Sequence, residues 1–120
     1  MRQVKSQNPE LLTLIRSLRK RAKENDAVIW RAVANNLSTS KRRRIAVNLS
    51  RLNRCTKEKE TVVVPGKVLG AGRLEHPLTV AAFAFSAEAR SKIAQAKGKC
   101  LPITELLEDN PKGSNVKIME

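Results

Sequence analysis

Two stretches of the chain, "TVVV" (Thr61–Val64) and "LTVAAFAF" (Leu78–Phe85), carry no charge and do not alternate apolar with polar positions. A strand with one wet face shows that alternation, whereas a strand covered on both faces reads as a continuous apolar run. The two runs therefore predict central strands of a sheet with helices on either side. The β-branched valines of the first suit a pleated surface. The alanines of the second leave room for close packing from both sides.

The neighbouring segments fit that frame. Ile45, Val47 and Leu49 alternate and predict a strand facing one side, and Arg51 and Arg54 continue it into a short helical turn. Ser86 reads as the cap of a helix over residues 87–97 that carries Ala89, Ile93 and Ala96 and ends at Gly98. "KCLPI" (99–103) reads as a short strand, and Thr104 as the cap of a brief helix holding Leu106 and Leu107. A turn at Asn110–Pro111 leads into a last strand, "VKIM". The fold class expected is α/β, a small mixed β-sheet flanked by helices.

A basic helical hairpin precedes this sheet. Asn8 suits an N-cap and Pro9 the first helical position. Leu11, Leu14, Ile15, Leu18 and Ala22 then recur at helical spacing, while Arg16, Arg19, Lys20 and Lys23 repeat that spacing on another side. Asn25–Asp26 can end this helix and cap the next, where Ile29, Ala32, Val33 and Leu37 line an apolar face beside Trp30. The hairpin spans 8–37, and "STSKRRR" (38–44) links it onward. At 120 residues the chain has the size of one domain. Residues 1–44 form its basic helical arm and link, and residues 45–120 its compact α/β core.

Charge narrows the partner. There are 24 Lys and Arg against 11 Asp and Glu, a net +13 with a pI near 10.6. Residues 1–60 carry 16 basic and 5 acidic side chains, residues 61–120 only 8 and 6. So much like charge on a small body predicts a polyanionic partner. A membrane partner is not expected, because no apolar run approaches the roughly 18 residues needed to span a bilayer. "MRQVKSQNPE" has no hydrophobic stretch of the kind that directs secretion. Cys55 and Cys100 stand outside any C-x-x-C spacing and read as reduced thiols of a cytoplasmic protein.

The chemistry-bearing motif follows the first strand. Pro65–Gly66 predicts the end of that strand and the start of a loop rich in glycine and cations: Gly66, Lys67, Gly70, Gly72 and Arg73. It does not fit a nucleotide site, since Lys67 sits between the first two glycines with no Ser or Thr behind it for magnesium. "GAGRLE" also lacks the third glycine of the dinucleotide fingerprint, and a strand follows instead of a helix. The single histidine, His76, stands beside Pro77 in a loop, and no acid pair or zinc spacing is evident. No catalytic residue, metal, cofactor or small-molecule substrate is expected.

A phosphate of a nucleic acid backbone suits the loop better. Glycines let main-chain amides approach a phosphate oxygen, while Lys67 and Arg73 supply countercharge. A tight strand connection with positive φ is compatible with the same residues. The candidate RNA-binding residues are Arg16, Arg19, Lys20, Lys41, Arg42, Arg43, Arg44, Arg51, Arg54, Gly66, Lys67, Gly70, Gly72 and Arg73. Several separate cationic surfaces suit a folded polyanion better than one straight duplex. Phe83 and Phe85 lie among alanines and read as buried, so base stacking is disfavoured. The second helix carries only Arg31 as a base, thin for a major-groove reader. Two alternatives stay open, a DNA-binding architectural protein and an enzyme acting on RNA through His76, Cys55 or Cys100.

"VNLSRLNR" (47–54), "TVVVPGKVLGAG" (61–72), "LTVAAFAFS" (78–86) and "NPKGSNVKI" (110–118) together resemble the eighteen-e family of ribosomal proteins of the archaeal and eukaryotic large subunit. That family is related in fold to bacterial ribosomal protein fifteen. The resemblance runs over nearly the whole chain from Asn8 onward. It implies an α/β structural component of the large subunit, without catalytic activity, bound to large-subunit ribosomal RNA beside neighbouring ribosomal proteins. The length is similar to the compact archaeal members. The loop 65–73 is the family signature, but the resemblance carries no set of contacts, and the candidates above rest on charge and geometry.

Overall fold

The computed structural model describes residues 9–38 and 45–119. Over them the chain forms α1 (Pro9–Asn25), α2 (Val28–Leu37), β1 (Ile45–Asn48), α3 (Leu49–Cys55) and β2 (Thr61–Leu69). It continues as β3 (Thr79–Phe85), α4 (Ala87–Gln95), β4 (Lys99–Pro102), α5 (Ile103–Asp109) and β5 (Val116–Ile118). The expected cap at Asn8 and the cations Lys41, Arg42, Arg43 and Arg44 lie outside the described residues.

The strands order β1-β2-β3-β4, with β5 also against β2. This is the α/β sheet flanked by helices that the apolar runs predict, and its directions are more uniform than a mixed sheet: every pairing among the described strands is parallel. Parallel neighbours need long crossovers, and α3, α4 and α5 supply three of them. The fourth, from β2 to β3, contains no helix.

β2 is longer than its sequence suggests. The expected break at Pro65–Gly66 is absent, and the strand runs on to Leu69. Two features accommodate the proline. Along one edge β5 pairs with Thr61–Val63 and β1 with Gly66–Leu69, so Pro65 falls in the gap between two partners where no amide donor is required. Along the other edge the register shifts between Val64 and Lys67: β2 advances three residues while β3 advances two, from Ala82 to Ala84. Such a bulge absorbs the interruption without ending the strand. Gly66 is consequently a buried strand residue, where an added Cβ would stand 2.0 Å from the Ile45 carbonyl oxygen.

Side chains along β2 and β3 point alternately to two cores. Val63 and Ala81 meet Leu11, Ile15 and Leu18 of α1, Trp30, Val33 and Leu37 of α2, and Ile103 and Leu106 of α5. Val62, Val64, Val68, Val80 and Ala82 meet Leu49 and Leu52 of α3 and Ala89 and Ile93 of α4. Each fully buried Val, Leu or Ile contributes about 1.5–3 kcal/mol relative to exposure. The hairpin is therefore not an arm: the apolar stripe of α1 and the face of α2 are the cover of one side of the sheet. Trp30 is fully buried, and its indole Nε1 donates to the Pro111 carbonyl at 2.8 Å, tying α2 to the turn before β5. Phe83 and Phe85 are half-buried.

Three expected caps shift. Asp26 takes a left-handed conformation (φ +50°) and Ala27 is the N-cap of α2, with no side-chain bond. α5 starts at Ile103, so Thr104 caps nothing. Lys97, at φ +64°, turns the chain after α4 in place of Gly98. Ser86 caps α4 as its sequence suggests, its hydroxyl accepting from the Ala89 amide at 3.1 Å.

Trp30→Phe keeps the six-membered ring, loses the pyrrole half of the buried indole and leaves the Pro111 carbonyl without its donor. The expected outcome is a loss of about 1–3 kcal/mol in denaturant unfolding with the denaturant slope unchanged. An unaltered midpoint would show that the tether adds nothing.

Candidate nucleic-acid interface

The carboxyl ends of parallel strands are where open α/β sheets present their sites. Here β1 runs directly into α3, β3 into α4, and β2 into residues 70–78. That last connection has no helix to set its shape, so side chains on both flanks do so. On the α3 side the Ser50 amide, one of the donors left over at a helix start, donates to the Ala71 carbonyl at 3.0 Å. Asn48 Oδ1 accepts from the Ala71 amide at 3.3 Å, and Asn53 Oδ1 from the Glu75 amide at 2.9 Å. On the α4 side Lys92 Nζ donates to the carbonyls of Gly70 (2.7 Å) and Gly72 (3.0 Å) and pairs with Glu88 at 2.9 Å. At the far end the buried Thr56 hydroxyl donates to the Leu52 carbonyl at 2.5 Å and accepts from His76 Nε2 at 2.8 Å, which requires the proton on that ring nitrogen.

The glycines mark where this loop presses on its flanks. Gly72 has φ +92°, and a Cβ there would stand 2.5 Å from Ser50 Cβ. Gly70 is buried, with Glu88 Cβ 2.7 Å from where its own Cβ would be. The amides of Ala71 and Glu75 are spent on Asn48 and Asn53. Two of the loop's amides are thus turned inward, and Arg73 carries positive charge on an exposed side chain.

Arg51 and Arg54 on α3 and Arg73 on the loop are exposed, and the Asn48 and Asn53 hydrogen bonds tie together the two segments that carry them. Lys67 is exposed on β2, in register between Ala46 and Ala84. Between the loop and α4 lies a groove of about 360 Å³ lined by Gly72, Arg73, Leu74, Glu75, Lys92, Gln95 and Ala96. Arg16 and Lys20 are exposed and Arg19 half-buried on α1, across the sheet from α3 and the loop. Lys20 stands 4.0 Å from Glu24, a solvated pair that holds it only weakly.

Asn48 and Asn53 lie in the "VNLSRLNR" motif, but nothing in the sequence marks their role or that of Lys92 in shaping the loop. Lys92 follows Glu88 at i+4, a spacing that reads as an ordinary surface ion pair. Its contacts to Gly70 and Gly72 come from 22 and 20 residues away.

The nucleophile candidates differ in setting: Cys55 is an exposed free thiol and Cys100 is partly buried. Burial raises the Cys100 thiol above its usual value, against a smaller opposite pull from Arg90, and a protonated thiol is a poor nucleophile. His76 is engaged with Thr56. Among the described residues no group of three or more His, Cys, Asp or Glu could hold a metal ion. No helix of the described residues is long and apolar enough to cross a membrane.

The fold and this charge layout define a small α/β protein that displays fixed cations on both sides of a parallel sheet. The family model described as ribosomal protein 60S L18 and 50S L18e matches residues 1–120. The chain is 48% identical over 120 residues to the large ribosomal subunit protein eL18 of Methanothermobacter thermautotrophicus, covering 100% of this chain and 99% of that one. It is 51% identical over 118 residues to the eL18 protein of Methanopyrus kandleri, covering 94% and 93%. With the eL18 protein of Archaeoglobus fulgidus it shares 46% over 116 residues, covering 97% and 99%. The chain belongs to the L18/L18e family of ribosomal proteins, as its four motifs suggest.

Gly70→Val would drive a branched side chain into Glu88 and the start of α4. Overpacking of this kind costs about 1–3 kcal/mol, and thermal unfolding of the free protein should show the loss without any nucleic acid present. An unchanged melting temperature would mean that the loop can step away from α4.

Proposed function

We propose that this chain is a structural constituent of the large ribosomal subunit, acting in the cytoplasm as part of the ribosome, where it binds ribosomal RNA beside neighbouring ribosomal proteins. The match of the whole chain to the L18/L18e family carries this reading. The exposed cations support it. Arg51, Arg54 and Arg73 lie on α3 and the loop, Arg16, Arg19 and Lys20 lie across the sheet, Lys67 points away from the core that Val68 enters, and Lys41, Arg42, Arg43 and Arg44 belong with them by charge.

Fixed cations replace the mobile counterions that condense on a phosphate backbone, and release of those ions drives binding. A body with cations on both sides of its sheet can hold two RNA segments close while offsetting their repulsion. Guanidinium groups suit the task, because their planar fork grips phosphate oxygens in pairs. Gly66 and Gly70 contribute shape and not contact, since both are buried. Gly72 lets the backbone turn beneath Arg73. No catalytic step belongs to this function.

The test is cosedimentation with large subunits through a sucrose gradient, followed by binding to ribosomal RNA across a salt series. With roughly six to ten phosphates contacted, affinity should fall by about three to five decades between roughly 50 and 200 mM salt. Replacing Arg51, Arg54 and Arg73 with alanine should lower the salt slope by about one unit per cation. A flat salt curve, or equal affinity for duplex DNA at matched salt, would reject the proposal.

A further inference from the structure

Lys92 looks like one more surface cation, yet its three ammonium hydrogens already have three partners. They face the Gly70 carbonyl (2.7 Å), the Gly72 carbonyl (3.0 Å) and the Glu88 carboxylate (2.9 Å). A lysine has three donors and no more, so in this arrangement none is left for a phosphate. The Gly72 carbonyl belongs to the same peptide unit as the Arg73 amide. By gripping it, Lys92 sets the plane from which the Arg73 side chain departs. Two residues further on, Asn53 holds the Glu75 amide at 2.9 Å. Arg73 therefore springs from a short piece of chain anchored on both sides, one anchor on α4 and the other on α3.

We infer that Lys92 is a positioning residue for RNA recognition: an internal cation that holds the loop carbonyls so that Arg73 stands ready over the groove between the loop and α4. This rests on the proposal that Arg73 meets RNA, and it adds which residue makes that meeting efficient. A crossover without a helix has little structure of its own. Left unclamped, it would have to be ordered on binding, at the expense of affinity. The clamp places that ordering in the folding of the protein. Lysine is suited to the position because a compact ammonium fits between two carbonyls, where a planar guanidinium has a different reach and direction.

The experiment is a double-mutant cycle in the full chain, with a transcript of large-subunit ribosomal RNA as probe at one fixed salt concentration. Lys92→Met should weaken binding roughly tenfold in the otherwise unchanged protein and less than about twofold in an Arg73→Ala background. Lys92→Arg keeps the charge and should fail to restore affinity. Equal losses in both backgrounds, or full rescue by arginine, would overturn the inference and make Lys92 a direct charge contact. If the methionine variant does not fold, the arginine variant carries the cycle alone. Amide hydrogen exchange in the free protein separates the two layers of the proposal. Faster exchange at Arg73 and Leu74 in the Lys92 variant, at unchanged global stability, supports the clamp, and unchanged exchange overturns it. A parent chain that binds no ribosomal RNA would instead reject the functional reading, and the RNA role of Lys92 with it.

Discussion

Burial of β2 on both faces and along both edges is the constraint on which the rest of this structure depends. Val62 and Val64 enter one core and Val63 the other, so α3 and α4 on one side and α1, α2 and α5 on the other are held through the same few residues. A strand so enclosed must hydrogen-bond its backbone groups within the protein. It does so with three partners, β3 along one edge and β5 followed by β1 along the other. Pro65, which has no amide to offer, falls where one partner ends and the next begins. A proline in the middle of a central strand would ordinarily argue against that strand. Here the change of partner makes it tolerable.

The same enclosure decides where charge can go. With the interior filled by Val, Leu, Ile, Ala and Trp30, the cations are left on the outer surfaces of α1 and α3, on the loop after β2 and on the exposed side of β2 at Lys67. Held on a rigid body, they repel one another, and a polyanion on the outside relieves that repulsion. The elements that carry them face different ways because they cover different sides of one sheet. This layout suits RNA that is folded around the protein. Lys92 turns to hold main chain at Gly70 and Gly72, as Lys117 does at the Cys55 carbonyl.

Periodicity and apolar runs made most of the elements legible: the stripe from Leu11 to Ala22, the alternation from Ile45 to Leu49, and the uninterrupted runs that became β2 and β3. Local punctuation is less legible. Asp26, Thr104 and Gly98 all resemble helix boundaries, but a boundary is settled by competing hydrogen bonds a few residues to either side. At these positions Ala27, Pro102 and Lys97 took the part. Pro65–Gly66 differs from its local signal for another reason. Its effect on the strand is set by β1 and β5, which arrive from residues far away in the chain.

The candidate site divides along the same line. By itself the sequence determined that the chain is an α/β body with a large surplus of positive charge, that its core is aliphatic, and that its motifs are those of the L18/L18e family. Composition and short-range pattern suffice for those, because burial and repulsion act on residue type before they act on position. Only the tertiary structure decided that Gly66 and Gly70 are points of close packing, that Asn48 and Asn53 tie α3 to the loop carrying Arg73, and that Lys92 belongs to the loop it grips. Each of those depends on which distant segments meet at the carboxyl ends of the strands, and contacts across 20 residues or more leave no spacing in the sequence to read.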